Sequence, residues 1–117
     1  MTTFSHSFGE VTLLITHYNR SSSLERLLRT FNDIGCNFGS IIISDDGSQP
    51  EHLKKVQELQ SIYNFMLLTT PENKGLGNNI NKGQDAVTTL YTLYVQEDFV
   101  PKASFSVHFT DALTFMQ

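Results

Sequence analysis

Short apolar runs alternate with stretches whose apolar residues recur at helical spacing, and this alternation restricts the fold more than any other feature of the chain. Residues 10–16 are β-branched and apolar almost throughout, the pattern of a strand buried on both faces. Leu24, Leu27, Leu28 and Phe31 then fall at i, i+3, i+4 and i+7, one face of a helix. Ser22 and Glu25 fit a capping box at its start, each side chain satisfying the other residue's backbone N–H. The glycines of residues 33–39 close it. Residues 40–44, 65–69 and 90–96 read as three more strands. Between them, Leu53, Val56, Leu59 and Tyr63 mark a second helix, and Ala86, Val87 and Leu90 continue a third that is entered through residues 72–83. Phe105, Phe109, Leu113 and Met116 suit a fourth. The order β-α-β-α-β-α-β-α predicts an α/β fold: a mostly parallel sheet with helices on both faces.

At 117 residues the chain is one domain by length, read as a flexible lead-in over 1–9 and a single α/β domain over 10–117. A net charge of −4 without a basic run argues against a nucleic-acid binder. It does not exclude anions that arrive with a metal, because a cation can sit between an acidic protein and an anionic ligand. The one cysteine, Cys36, permits neither an internal disulfide nor a Cys-rich zinc site. No apolar run reaches membrane-spanning length, and the first ten residues lack a secretory signal. A reduced, cytoplasmic setting is expected, with peripheral contact at the inner face of the membrane left open.

In open parallel sheets, ligands bind beyond the carboxyl ends of the strands. Four strand ends deliver residues 16–20, 44–48, 69–83 and 96–99 to that edge. Two acidic pairs, Asp45/Asp46 and Glu97/Asp98, therefore converge. Paired carboxylates repel unless a cation, a donor or a proton relieves them. Hard cations such as Mg²⁺ or Mn²⁺ take oxygen ligands and share them with phosphates, which makes a nucleoside diphosphate the expected ligand. The blander alternatives are a strand-to-helix turn at Asp46-Gly47-Ser48 and a solvated helix start at Glu97-Asp98. The glycines of residues 73–83 match neither the dinucleotide fingerprint nor a P-loop, and the four histidines lack metal-ligand spacing.

Four segments in succession resemble the nucleotide-sugar part of family 2 glycosyltransferases, which have the Rossmann-like GT-A fold. They are VTLLITHYNR (11–20), IIISDDGS (41–48), ENKGLGNNINKG (72–83) and LYTLYVQEDFVP (90–101). The resemblance implies a donor-binding domain, the N-terminal half of a longer, inverting glycosyltransferase. It would hold a UDP-type nucleoside diphosphate sugar and Mg²⁺ or Mn²⁺, for transfer to a hydroxyl of a glycan or lipid-linked acceptor. It places Thr16, Tyr18 and Asn19 at the nucleoside, with Tyr18 stacking near the base. Asp46 would accept from the base imide with Asp45 alongside, and Asn73, Gly75 and Asn81 would wrap the diphosphate and sugar. Asp98 would be the metal ligand, with Glu97 near the ribose or metal. Two positions depart from the family pattern: the acidic motif reads Gln-Glu-Asp instead of Asp-x-Asp, and Ile80 stands where an arginine is common, a loss that Lys74 or Lys82 could offset. No general base is recognisable; Asp111 reads as a surface residue. The alternative reading is a non-catalytic nucleotide- or protein-binding module of the same fold, and self-association is open in either case.

Overall fold

The computed structural model describes residues 6–116. Four strands and four helices alternate: β1 (His6–His17), α1 (Ser21–Asp33), β2 (Cys36–Asp45), α2 (Pro50–Tyr63), β3 (Met66–Leu68), α3 (Leu76–Asp85), β4 (Tyr91–Gln96) and α4 (Phe105–Met116). The sheet order is β3-β2-β1-β4 and every pairing is parallel. All four carboxyl ends therefore share one edge, where the register aligns Leu68, Ser44, Thr16 and Gln96 in a row.

Alternation along the strands gives the sheet two unlike faces. Val11, Leu13 and Ile15 of β1 join Ile43 and Val95 in the main core, packed against Leu24, Leu27, Leu28 and Phe31 of α1 and Val56 and Leu59 of α2. On the other face Leu14 lies beneath Gly83 and Ser44 beneath Asn79, so α3 covers that side. Strands covered on both faces explain why β1 and the end of β2 show so little polar interruption. Phe105 and Phe109 of α4 extend the main core, edge-on to Phe31 and Phe8 respectively.

The elements depart from the sequence reading at four places. β1 starts at His6, so residues 6–9 belong to the sheet, while residues 1–5 of the expected lead-in lie outside the described residues. β2 starts at Cys36, because Phe38 pairs with Phe8 in register and packs edge-on against Phe31; these tertiary contacts override the glycine punctuation. The capping box is absent: Arg20 is the N-cap of α1 with no side-chain cap, and Glu25 instead pairs with Lys55 of α2 at 3.1 Å. The third helix ends at Asp85 with Ala86 as its C-cap, leaving Val87 and Leu90 in the connection. Thr89 pins that connection, its hydroxyl 2.6 Å from Thr12 Oγ1 and donating to the Tyr91 carbonyl oxygen at 2.9 Å. Met116 does end α4, though its side chain lies outside the described residues. Among the described residues no helix is long and apolar enough to cross a membrane.

Candidate active site

A cleft of about 230 Å³ opens at the carboxyl edge, lined by Thr16, His17, Tyr18, Asp46, Asn73, Gly75, Leu76, Asn79, Gln96 and Glu97. A larger groove of about 650 Å³ lies around Cys36–Ile42 and Ile62–Met66, and its lining carries no Asp, Glu, His, Lys or Arg. The cleft with acidic and imidazole side chains in its lining is the one at the carboxyl edge, where open parallel sheets bind their ligands.

The floor of the cleft is a hydrogen-bonded lattice joining the first two strand ends. Asp45 is fully buried. Its Oδ1 meets His17 Nδ1 at 2.8 Å and accepts from the Ser48 hydroxyl at 2.5 Å, and its Oδ2 accepts the Ser48 N–H at 3.0 Å. His17 Nε2 accepts the Arg20 N–H at 3.1 Å. A nitrogen that accepts an N–H carries no proton, so Nδ1 is the protonated nitrogen and donates to Asp45. Burial alone would raise the Asp45 carboxyl, but the bonds from His17 and Ser48 outweigh it and hold the group below the ordinary carboxylate value. Asn19 completes the lattice in the left-handed region, φ 52°. Its N–H donates to Ser48 Oγ at 3.0 Å, and its Oδ1 accepts the Gln49 N–H at 2.7 Å.

Asp46 does different work from its neighbour. Its Oδ1 accepts the Lys74 N–H at 2.8 Å and its Oδ2 accepts the Gly75 N–H at 3.0 Å, fastening the β3–α3 loop to the end of β2. The same approach explains Gly47. Its φ is +74°, and a Cβ there would run into the backbone of Glu72 and Asn73. Asn79, buried in the first turns of α3, locks that helix to the sheet: the one Ser44 hydroxyl proton is shared between its carbonyl oxygen and Oδ1, at 2.9 and 2.7 Å, and its Nδ2 donates to the Ser44 carbonyl at 2.9 Å. Lys82 Nζ donates to the Asp45 carbonyl oxygen at 2.7 Å. Burial lowers the pKa of this lysine against the pull of Asp45 and Asp46.

The far wall comes from the turn after β4. Glu97 lines the cleft with its side chain 13% exposed, whereas Asp98 is 54% exposed and lies outside the lining. Burial pushes the Glu97 carboxyl up, with the Asp98 charge adding to the shift and Arg20 opposing it. Among the described residues no three His, Cys, Asp or Glu side chains cluster as a metal cage. An adjacent pair of hard carboxylates fits the other mode of binding Mg²⁺ or Mn²⁺, in which one or two protein oxygens are supplemented by phosphates and water.

Of the residues singled out from sequence, Thr16, Tyr18, Asp46, Asn73, Gly75 and Glu97 meet in the cleft. Asn19 and Asp45 stand behind it, holding loops in place. Asn81 is exposed and turned away: on α3 the residues facing the sheet are Asn79 and Gly83, four apart, and position 81 falls between them on the opposite side. Thr16 is buried, and its hydroxyl meets Tyr94 at 2.9 Å. His17, Leu76, Asn79 and Gln96 also line the cleft and were not singled out. Helical phase from Leu76 would have identified Asn79; the buried carboxylate partner of His17 has no sequence signal.

Parallel strands, helices on both faces and a loop-built cleft at the carboxyl edge define the Rossmann-like α/β class. Glycosyl transferase family 2 matches residues 12–106, most of the chain, and the chain belongs to that family. Among solved structures, S. aureus TarS 1–349 in complex with UDP-GlcNAc is similar with a TM-score of 0.74 and 19% identity, over 91% of this chain and 30% of that one. TarS 1–349 without that ligand gives 0.73 and 19%, over 91% and 32%. The mannosyltransferase PcManGT from Pyrobaculum calidifontis, in complex with GDP-Man and Mn²⁺, gives 0.67 and 14%, over 89% and 33%. The chain thus spans about a third of the length of each. Comparison with curated proteins finds no match.

Proposed function

We propose that the chain is the donor-binding part of a glycosyltransferase that transfers a sugar from a nucleoside diphosphate to an acceptor hydroxyl. The observation that carries this reading is the convergence of Thr16, Tyr18, Asp46, Asn73, Gly75 and Glu97 from all four strand ends on one cleft. Tyr18, 40% exposed at the cleft, offers a ring face for a base. The tethered loop of Asn73 to Gly75 presents an amide side chain and backbone toward the same space.

Glu97 and Asp98 would hold Mg²⁺ or Mn²⁺ on the diphosphate side. The bound ion supplies electrostatic stabilisation of charge developing on the departing diphosphate. The chain's own contribution is positional. The Asp45–His17–Ser48 lattice fixes the ends of β1 and β2, and Asp46 holds the third loop over the cleft. The GDP-Man and Mn²⁺ bound by PcManGT and the UDP-GlcNAc bound by TarS support both the donor class and the metal. A UDP-type donor, an inverting outcome and a glycan or lipid-linked acceptor at the cytoplasmic side of a membrane are the finer parts of the proposal.

Titration calorimetry with UDP, UDP-GlcNAc, GDP and GDP-mannose, each with Mn²⁺, tests it. Saturable binding of one nucleotide series is expected, weakened at least tenfold by Asp98→Ala. Absence of binding across the whole panel would sink the proposal.

A further inference from the structure

The Arg20 side chain lies against the acidic pair. Its backbone is fixed: the N–H is bonded to His17 Nε2 at 3.1 Å, and the carbonyl accepts the Leu24 N–H at 3.0 Å as α1 begins. Its side chain is 60% exposed, with Nε 3.8 Å from Glu97 Oε1 and Nη1 3.8 Å from Asp98 Oδ2. These separations give charge attraction without the short, about 2.7–2.9 Å, hydrogen bonds of a tight guanidinium–carboxylate pair. The arm to Asp98 is exposed on both sides, and such pairs are weak and easily exchanged; the arm to Glu97, whose side chain is 13% exposed, is also too long for a hydrogen bond. One guanidinium therefore relieves two adjacent carboxylates, and they are the same two that an incoming divalent ion would take.

Resting on the donor-binding reading above, we propose that Arg20 is a positioning residue that stands in the metal's place in the free protein and turns to the donor diphosphate when the metal enters. A divalent ion binds carboxylate oxygens at about 2.1 Å and carries twice the charge, so it displaces a guanidinium held only at ion-pair distance. The two cations repel each other at one acidic pair, and the released side chain is free to meet another anion. Its anchor lies two residues beyond Tyr18 and its side chain reaches Glu97, both of which line the cleft, and its planar fork of donors suits phosphate oxygens. The exchange keeps a cation beside the acidic pair both with and without the metal.

Binding of Mn²⁺ alone, followed by the electron paramagnetic resonance signal of the free ion, tests the first half on the 117-residue chain and on Arg20→Ala and Arg20→Lys. Removing a competing charge should tighten Mn²⁺ binding to Arg20→Ala by roughly three- to tenfold. In saturating Mn²⁺ the same variant should bind UDP roughly five- to tenfold more weakly, because a charged phosphate contact is lost. Arg20→Lys should restore most of both values. A merely structural role would weaken both ligands together, so the opposite signs are diagnostic. If Arg20→Ala binds Mn²⁺ no more tightly than the parent, or UDP no more weakly, the inference is overturned while the donor-binding reading stands. If the parent chain takes up neither Mn²⁺ nor UDP, both fall.

Discussion

Asp45 and Asp46 are neighbours in sequence and opposites in role, and strand geometry separates them. Successive side chains at a strand end point to different sides, so Asp45 turns beneath the cleft to His17 and Ser48 while Asp46 reaches across to Lys74 and Gly75. Because Asp45 is fully buried and its partners donate, Asp45→Asn sets an amide N–H₂ against a donor and removes the charge they satisfy. A loss of about 2–3 kcal/mol of stability at neutral pH is expected by chemical denaturation. The pH dependence has a definite sign. The folded-state pKa of Asp45 is depressed below 3.8, so its stabilisation is present above that value and is lost as pH falls through the lower folded value. Acid melts of the parent should steepen below about pH 4, and Asp45→Asn should flatten that limb. Asp46→Asn should cost less stability, about 1–2 kcal/mol, yet weaken donor binding more, since its bonds hold the loop that lines the cleft.

At the scale of the element, α3 is the part of the site that depends most on close approach. A Cβ on Gly83 would run into the methyl end of the buried Leu14 side chain, so a larger residue there must shift Leu14 or push the helix off β1. Gly83→Val should displace α3 and cost roughly 2–3 kcal/mol. Because Asn79 and the loop before it move with the helix, UDP affinity should fall in parallel, measured by calorimetry on the folded fraction. Gly47→Ala should behave alike for a different reason, pairing a strained positive φ with a collision against the third loop, at about 2–3 kcal/mol. The same elements show what was legible in the sequence. The four strands and their parallel direction follow from the alternation of apolar runs with helical spacing, and the convergence of Asp46, Tyr18 and Glu97 follows from topology alone. What stayed hidden depends on partners far along the chain: Phe38 is a strand residue because Phe8 and Phe31 are its neighbours, and Glu25 leaves its cap for Lys55. Asn81 falls on the exposed side of α3 for a simpler reason. A motif names residues without helical phase, and phase gives the inward position to Asn79.

For the molecule as a whole, the decisive quantity is the coupling between metal and nucleotide. The chain carries a net charge of −4 and its proposed ligand is an anion, so the ion between them contributes to both surfaces. On the proposed reading the protein would offer that ion Glu97 and Asp98, since no three carboxylate, histidine or cysteine side chains cluster among the described residues. Most of the ion's coordination would then come from phosphate oxygens and water. It follows that neither ligand alone should bind tightly, and that each should raise the affinity of the other by the same factor, as linkage requires. A coupling of about tenfold or more is expected, within the usual range of 1–3 kcal/mol. At about one hundred times its dissociation constant, UDP with Mn²⁺ should add about 2.7 kcal/mol to the stability of the folded state. For a domain of this size that is a rise in melting temperature on the order of 10 °C. UDP with EDTA, or Mn²⁺ without nucleotide, should shift the transition by no more than a few degrees. In Asp98→Ala the combined shift should shrink to the sum of the single-ligand shifts, the signature of lost coupling as distinct from lost folding. Equal shifts from UDP with and without metal would instead place the nucleotide away from the acidic pair, along the Tyr18 and Asp46 side of the cleft.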